Sequence, residues 1–162
     1  MIKHHNLTLG DYQALAEFRY QLRRFIRFSE ESARRVGLEP QHHQLMLAVK
    51  AMPHSRAARI ADLAERLQLQ HHSVVELVSR LVARGLIEKV RGHEDRREVQ
   101  VRLTTRGEGL LKQLTLRTRA ELRLAAPALV LSLRKIAVRS RSRRIRGSKV
   151  YGKSGIVTEE KA

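Results

Sequence analysis

Between Asp11 and Val36, apolar residues return every three or four positions, at Leu15, Phe18, Leu22, Phe25 and Ile26. That spacing predicts one face of a long amphipathic helix, which Gly37 ends. Pro40 opens a second predicted helix through Leu45, Met46, Leu47 and Val49, closing near Pro53. After a polar connection, Ile60, Leu63, Ala64 and Leu67 fall at i, i+3, i+4 and i+7, predicting a short helix over 59–67. Only Gln68, Leu69 and Gln70 separate it from the next periodic run, Val74, Val75, Val78, Leu81 and Val82, which marks a helix over 71–84 ended by Gly85. Two short helices joined so tightly must cross at a large angle, as in a helix-turn-helix.

Beyond Gly85 the period shortens. Leu86 to Val90 reads as a strand, residues 91–97 as a charged turn, and Glu98 to Leu103 as a second, alternating strand. The pair forms a hairpin wing. Thr104 or Thr105 can cap a further helix carrying Leu110, Leu111, Leu114, Leu122 and Leu124. Pro127 is expected to interrupt it and to leave a last short helix over 128–137. From Val138 onward an Arg-Ser run and a Gly/Ser/Lys stretch lack periodicity, so residues 138–162 are expected to be a disordered basic tail. The predicted fold class is mainly α with a small two-stranded β wing. It is a winged helix-turn-helix within residues 1–137, with helices flanking it at both ends.

Charge narrows the partners. The 162 residues hold 33 Lys and Arg against 16 Asp and Glu, a formal net charge of +17. That excess favours a polyanion, either nucleic acid or an acidic membrane surface. It is uneven: residues 122–162, a quarter of the chain, carry +9 of it. Aromatic residues make up 4% and tryptophan is absent, which argues against a sugar-binding or base-stacking surface. Without cysteine there are no disulfides and no thiolate metal sites. No apolar run approaches the roughly 20 residues that span a bilayer, and the first ten residues lack a signal-peptide core, so a cytoplasmic protein is expected. No phosphate-binding glycine loop, nucleophile elbow or framed pair of carboxylates is found, and no enzyme is expected. The eight histidines include pairs at 4–5, 42–43 and 71–72. Helical neighbours point about 100° apart, so such a pair does not chelate as a unit. Neither metal nor cofactor is expected. His42 and His43, near the junction of the second helix with the first, stand where they could line an effector pocket.

The ordered series of elements carries a family resemblance. Ile60-Ala61-Asp62-Leu63-Ala64-Glu65-Arg66-Leu67 resembles the first helix of a MarR-type helix-turn-helix. Val78 to Ile87 is similar to the end of its recognition helix running into the wing. Asp95-Arg96-Arg97, followed by Val99 to Gly107, resembles the family's D-x-R wing motif, strand and L-T-x-x-G helix start. The likeness spans about residues 11–137. It implies a transcriptional regulator that binds a pseudo-palindromic DNA duplex as a homodimer, with a DNA-binding lobe near 40–104 and dimerisation helices near 11–36 and 105–137. It also implies that a small aromatic or anionic effector can release the DNA, and that the protein sits with the bacterial nucleoid.

On the recognition helix, His71, His72, Ser73, Glu76, Ser79, Arg80 and Arg84 lie off the apolar stripe. His, Ser and Arg can donate to purine acceptors, and Glu can accept from a cytosine amino group. Helix N-termini favour phosphate. In the wing, the resemblance implies that Arg97 reaches a minor groove or phosphate, with Asp95 holding its guanidinium. Arg91 and Arg96 would add phosphate contacts. Val75-Glu76 departs from the family, which more often has a Ser/Thr-Arg pair there, and the basic tail is a second departure. Two other functions compete on these residues. One is a non-specific architectural or RNA-associated basic protein; the other is a protein-interaction module whose winged helix no longer reads DNA.

Overall fold

The computed structural model describes residues 7–52, 58–91 and 99–146, with the backbone alone at Arg91 and over 138–146. Eight elements follow in order: α1 (Leu9–Arg35), α2 (Pro40–Lys50), β1 (Ala58–Arg59), α3 (Ile60–Leu67), α4 (His71–Ala83), β2 (Ile87–Arg91), β3 (Val99–Leu103) and α5 (Thr105–Arg146). None of the described helices is long and apolar enough to cross a membrane.

The chain divides into two compact units, residues 22–126 and the two ends, 1–21 with 127–162. In the first unit, α2, α3, α4 and the start of α5 enclose one core with the sheet. Leu45, Met46, Leu63, Val74, Val78, Leu81 and Leu114 are all fully buried there, with Leu38, Leu86, Ile87 and Val101 nearly so. Burial of that many aliphatic side chains is the main force holding the lobe together.

The predicted hairpin is present as β2 and β3, paired antiparallel from Ile87 opposite Leu103 to Arg91 opposite Val99. A third strand joins it. The two residues of β1 pair on the other side of β3, Ala58 opposite Val101 and Arg59 opposite Gln100, giving the order β1-β3-β2. Two residues are too few to show a period, so the expected two-stranded wing becomes a three-stranded sheet. It sits against the helix-turn-helix because Arg59, the last residue of β1, is also the N-cap position of α3.

The start of α5 explains the Leu-Thr-x-x-Gly spacing. Thr104 is the cap: its Oγ1 accepts from the Gly107 N–H at 3.1 Å and donates to the Gly85 carbonyl at 2.8 Å. Its own N–H donates to the Leu86 carbonyl at 3.1 Å. These bonds draw the first turn of α5 onto the end of α4. A Cβ on Gly107 would stand 1.9 Å from the Leu86 carbonyl oxygen, so only glycine fits this approach.

Two expectations about the C-terminal part are corrected. α5 is one helix of 42 residues that runs through Pro127. Proline removes one backbone donor, here the partner of the Arg123 carbonyl. Arg123 and Pro127 are both exposed. Solvent can therefore reach the carbonyl left over, and the Leu- and Ala-rich turns on either side continue the helix. The helix also reaches Arg146, nine residues into the stretch whose pattern predicted irregular structure, while residues 147–162 lie outside the described ones.

In the unit formed by the ends, Thr8 and Asp11 are bonded to each other across the first turn of α1. The Thr8 N–H and Oγ1 donate to Asp11 Oδ2 at 2.8 and 2.6 Å. Gly10, Gln13, Ala14 and Glu17 of α1 line a cleft with Ala128, Leu131, Ser132 and Lys135 of α5. Ala14 and Ser132 are buried, whereas Leu9, Tyr12, Leu15, Val130, Leu131 and Leu133 remain about half exposed or more.

Candidate nucleic-acid interface

α3 and α4 owe their crossing to one backbone device. Gln68 takes the left-handed conformation, φ 55° and ψ 42°, directly after α3. Its N–H bonds to the Glu65 carbonyl and the Leu69 N–H to the Ala64 carbonyl, the pair that closes a helix end sharply. Leu69 then packs against the core. Gly37 and Gly85, both at positive φ, close α1 and α4 in the same way. At the other end of α3, Arg59 Nε and Nη2 grip the two Asp62 carboxylate oxygens at 2.8 Å each, fixing the first turn.

The inward side of α4 consists of Val74, Leu77, Val78 and Leu81, all buried. This differs from the predicted stripe. Leu77 joins the core, while Val75 and Val82 are 38% and 37% exposed. Of the sequence-predicted site residues, His71 and His72 are exposed in the first turn and Ser73 is half-buried. Gln70, the N-cap, makes no side-chain capping bond. The backbone N–H groups of that turn are thus left for an anion. Glu76 and Arg80 are brought together one turn apart, at 3.4 Å and each about two-thirds exposed. Such a pair contributes little to stability, so it can open towards a ligand at small cost. Ser79 Oγ donates to the Val75 carbonyl at 2.9 Å.

Arg84 is placed apart from the others. Its Nη1 donates to the Gly37 carbonyl at 2.8 Å, tying the end of α4 to the turn between α1 and α2. Arg91 ends β2, with its backbone opposite Val99; its side chain, and Asp95, Arg96 and Arg97, lie outside the described residues. At the base of the wing, Glu88 and Arg102, directly opposite each other, pair at 2.7 Å. Sequence reasoning missed a cleft of about 360 Å³ beside α4, where Arg59, Ile60, Ala61, His71, Val75 and Val78 meet Lys89 and Val99 of the wing. An exposed valine gives no signal in a stripe of valines.

Behind α4, on α2, both histidines are 5% exposed. Neither nitrogen of His42, nor Nε2 of His43, has a hydrogen-bond partner among the described residues. Burial lowers the pKa of His42, the positive charges of Arg84 and Arg80 lower it further, and Glu39 partly offsets them. Burial alone lowers that of His43. His43 also lines a second cavity, about 220 Å³, with Phe25, Ile26, Ser29 and Glu30 of α1, Pro40, Gln44 and Leu47 of α2, and Thr118 of α5. Among the described residues no cluster of His, Asp or Glu is arranged to hold a metal ion.

Residues 36–98 match the sequence model of the MarR family. None of the curated protein sequences matches the chain. Among solved structures, AbsC, a MarR family transcriptional regulator from Streptomyces coelicolor, superposes with a TM-score of 0.65 at 19% identity, covering 89% of this chain and 99% of AbsC. A mutant MarR from E. coli complexed with operator DNA superposes at 0.59 with 16% identity, covering 79% of this chain and 89% of the other. A MepR mutant from S. aureus bound to an oligodeoxyribonucleotide gives 0.58 at 17%, over 84% and 96%. The resemblance read from the chain is borne out by the family match, and the fold is that of MarR winged helix proteins.

Proposed function

From a winged helix-turn-helix that carries the MarR family match over residues 36–98, we propose a transcriptional regulator that binds a pseudo-palindromic DNA duplex as a homodimer. One observation carries this reading. α4 holds its core contacts on one side and leaves His71, His72, Glu76, Ser79 and Arg80 exposed on the rest, on a chain of net charge +17. A second helix whose N-terminal half is open and polar is the element that enters a major groove. Phosphates would be held by the first turn of α4 and, in the wing, by Arg91, Arg96 and Arg97, with Asp95 steadying Arg97. Arg84, engaged at Gly37, serves the lobe's own structure in this reading.

Exposed apolar side chains support the dimer. Leu9, Tyr12, Leu15 and Leu131 in the terminal unit, and Leu116, Leu122 and Leu124 further back on α5, all stand in solvent on a single chain. Exposed large apolar side chains in this number are what an association face covers. A two-fold dimer then reads half-sites about 34–36 Å apart. The cavity beside His43 supports a small effector. It is apolar on the side of Phe25, Ile26, Pro40 and Leu47, and a neutral, buried imidazole offers it one specific hydrogen bond. An aromatic molecule bound there would act by favouring a conformation whose half-site spacing the duplex cannot match.

The test is an anisotropy titration of the full chain against its own upstream intergenic duplex and a scrambled duplex, at physiological salt. A preference of about 1000-fold is expected for a sequence-reading regulator. Equal, steeply salt-dependent affinity for both, and for duplexes drawn from a random library, would instead identify a non-specific basic protein.

A further inference from the structure

The polar side of α4 contains one apolar residue in its N-terminal half. Val75 is 38% exposed and lies one turn after His71 and one turn before Ser79. Two of its polar neighbours are bonded within the helix: the Ser79 hydroxyl to the Val75 carbonyl, and Glu76 to Arg80. A half-exposed valine also favours the helix less than Ala, Leu, Glu, Lys or Arg would, so neither propensity nor burial accounts for it. With Val78, Ile60 and Val99 it forms the apolar wall of the cleft between the recognition helix and the wing, and Lys89 lies on the same cleft.

In the major groove the bases present hydrogen-bonding atoms and one apolar group, the C5-methyl of thymine. An apolar wall on the residue row that meets the bases, with a cation beside it for the neighbouring phosphate, is complementary to that methyl and to no other base feature. We propose that Val75 reads a thymine methyl, fixing a T·A pair at one position of each half-site. The proposal rests on the duplex-binding function above and adds to it a specificity-determining residue.

The full chain is first used to select duplexes from a randomised pool. In the selected duplex, each thymine and its symmetry mate are then replaced by deoxyuridine, which removes the methyl and keeps base pairing and hydrogen-bonding atoms. Burying one methyl corresponds to about fourfold in affinity, hence about fifteenfold for the two halves of a dimer site. The native chain is expected to show that loss at one symmetric pair of positions. Val75→Ala is expected to bind the selected duplex about fifteenfold more weakly, melt within a degree or two of the native chain, and respond less than twofold to the same replacement. Tolerance of deoxyuridine at every thymine overturns the proposal and leaves the regulator standing, as does an undiminished loss in Val75→Ala. A pool that yields no enriched sequence overturns both.

Discussion

The lobe of residues 22–126 and the unit formed by the two chain ends solve the burial problem differently. The lobe closes on itself: α2, α3 and α4 each contribute side chains with no solvent exposure and the sheet side chains with almost none, and non-local bonds such as Arg84 to Gly37 and Lys50 to Glu108 stitch its edges. Among the described residues of the end unit the buried positions are Ala14, Gln21 and Ser132, and most of the large apolar residues are exposed. Unpaired apolar area is a cost to a lone chain and a driving force for two. The lobe thus has an extensive core of its own, and in the proposed dimer a second copy would cover the apolar residues that the ends leave exposed.

The largest effect that could break this contrast is on assembly. Leu131→Glu, at a residue 56% exposed, is expected to leave the lobe folded but convert a dimer to a monomer in sedimentation equilibrium. Operator affinity should fall at least about a hundredfold when the second half-site is lost. A native chain that sediments as a monomer would remove the contrast altogether.

Within the lobe, Gly107→Ala sharpens it. The added methyl meets the Leu86 carbonyl, and the only relief is to move α5 away from the end of α4. A loss of about 3 kcal/mol in urea unfolding is expected, against almost none for Gly109→Ala, where a Cβ meets nothing.

The smallest effect is in pH. His42 and His43 have pKa values lowered from the ordinary 6.5, so the unfolded chain takes up their protons before the folded one does. Stability is then complete above pH about 7.5 and falls as pH drops through 6.5, since the state that binds more protons gains. For His42 the facing groups are Arg84 and Arg80, which deepen the fall, and Glu39, which moderates it. Urea midpoints between pH 8 and 5.5 should flatten in a His42→Asn, His43→Leu double variant. An unchanged slope would place the acid sensitivity elsewhere.

The helices, the tight α3–α4 connection and the wing were legible because each holds a period over enough residues to be counted. What escaped was either too short or settled by partners distant in sequence. β1 has two residues, and only β3, some forty positions later, makes it a strand. In α4 the run of valines suggested a stripe through Val75 and Val82, while packing selected Leu77. The role of Arg84 depends on a carbonyl 47 positions away. Gln68 gave no sign of its left-handed backbone, because the residue types that announce one are glycine and asparagine. The exposed residues His71, His72 and Arg80 were placed correctly on the outer side of α4, since that needed only the helical period.

Pro127 stands at the first position of α5 that belongs to the end unit. A helix more than 60 Å long, at about 1.5 Å per residue, transmits cooperativity through its ladder of hydrogen bonds, and this is the rung that is missing. Amide protons on the two sides of it are therefore expected to exchange with solvent as two separate cooperative blocks, those of the lobe slower than those of the ends. One uninterrupted helix would in this way belong to two folding units at once, joined covalently but opening independently.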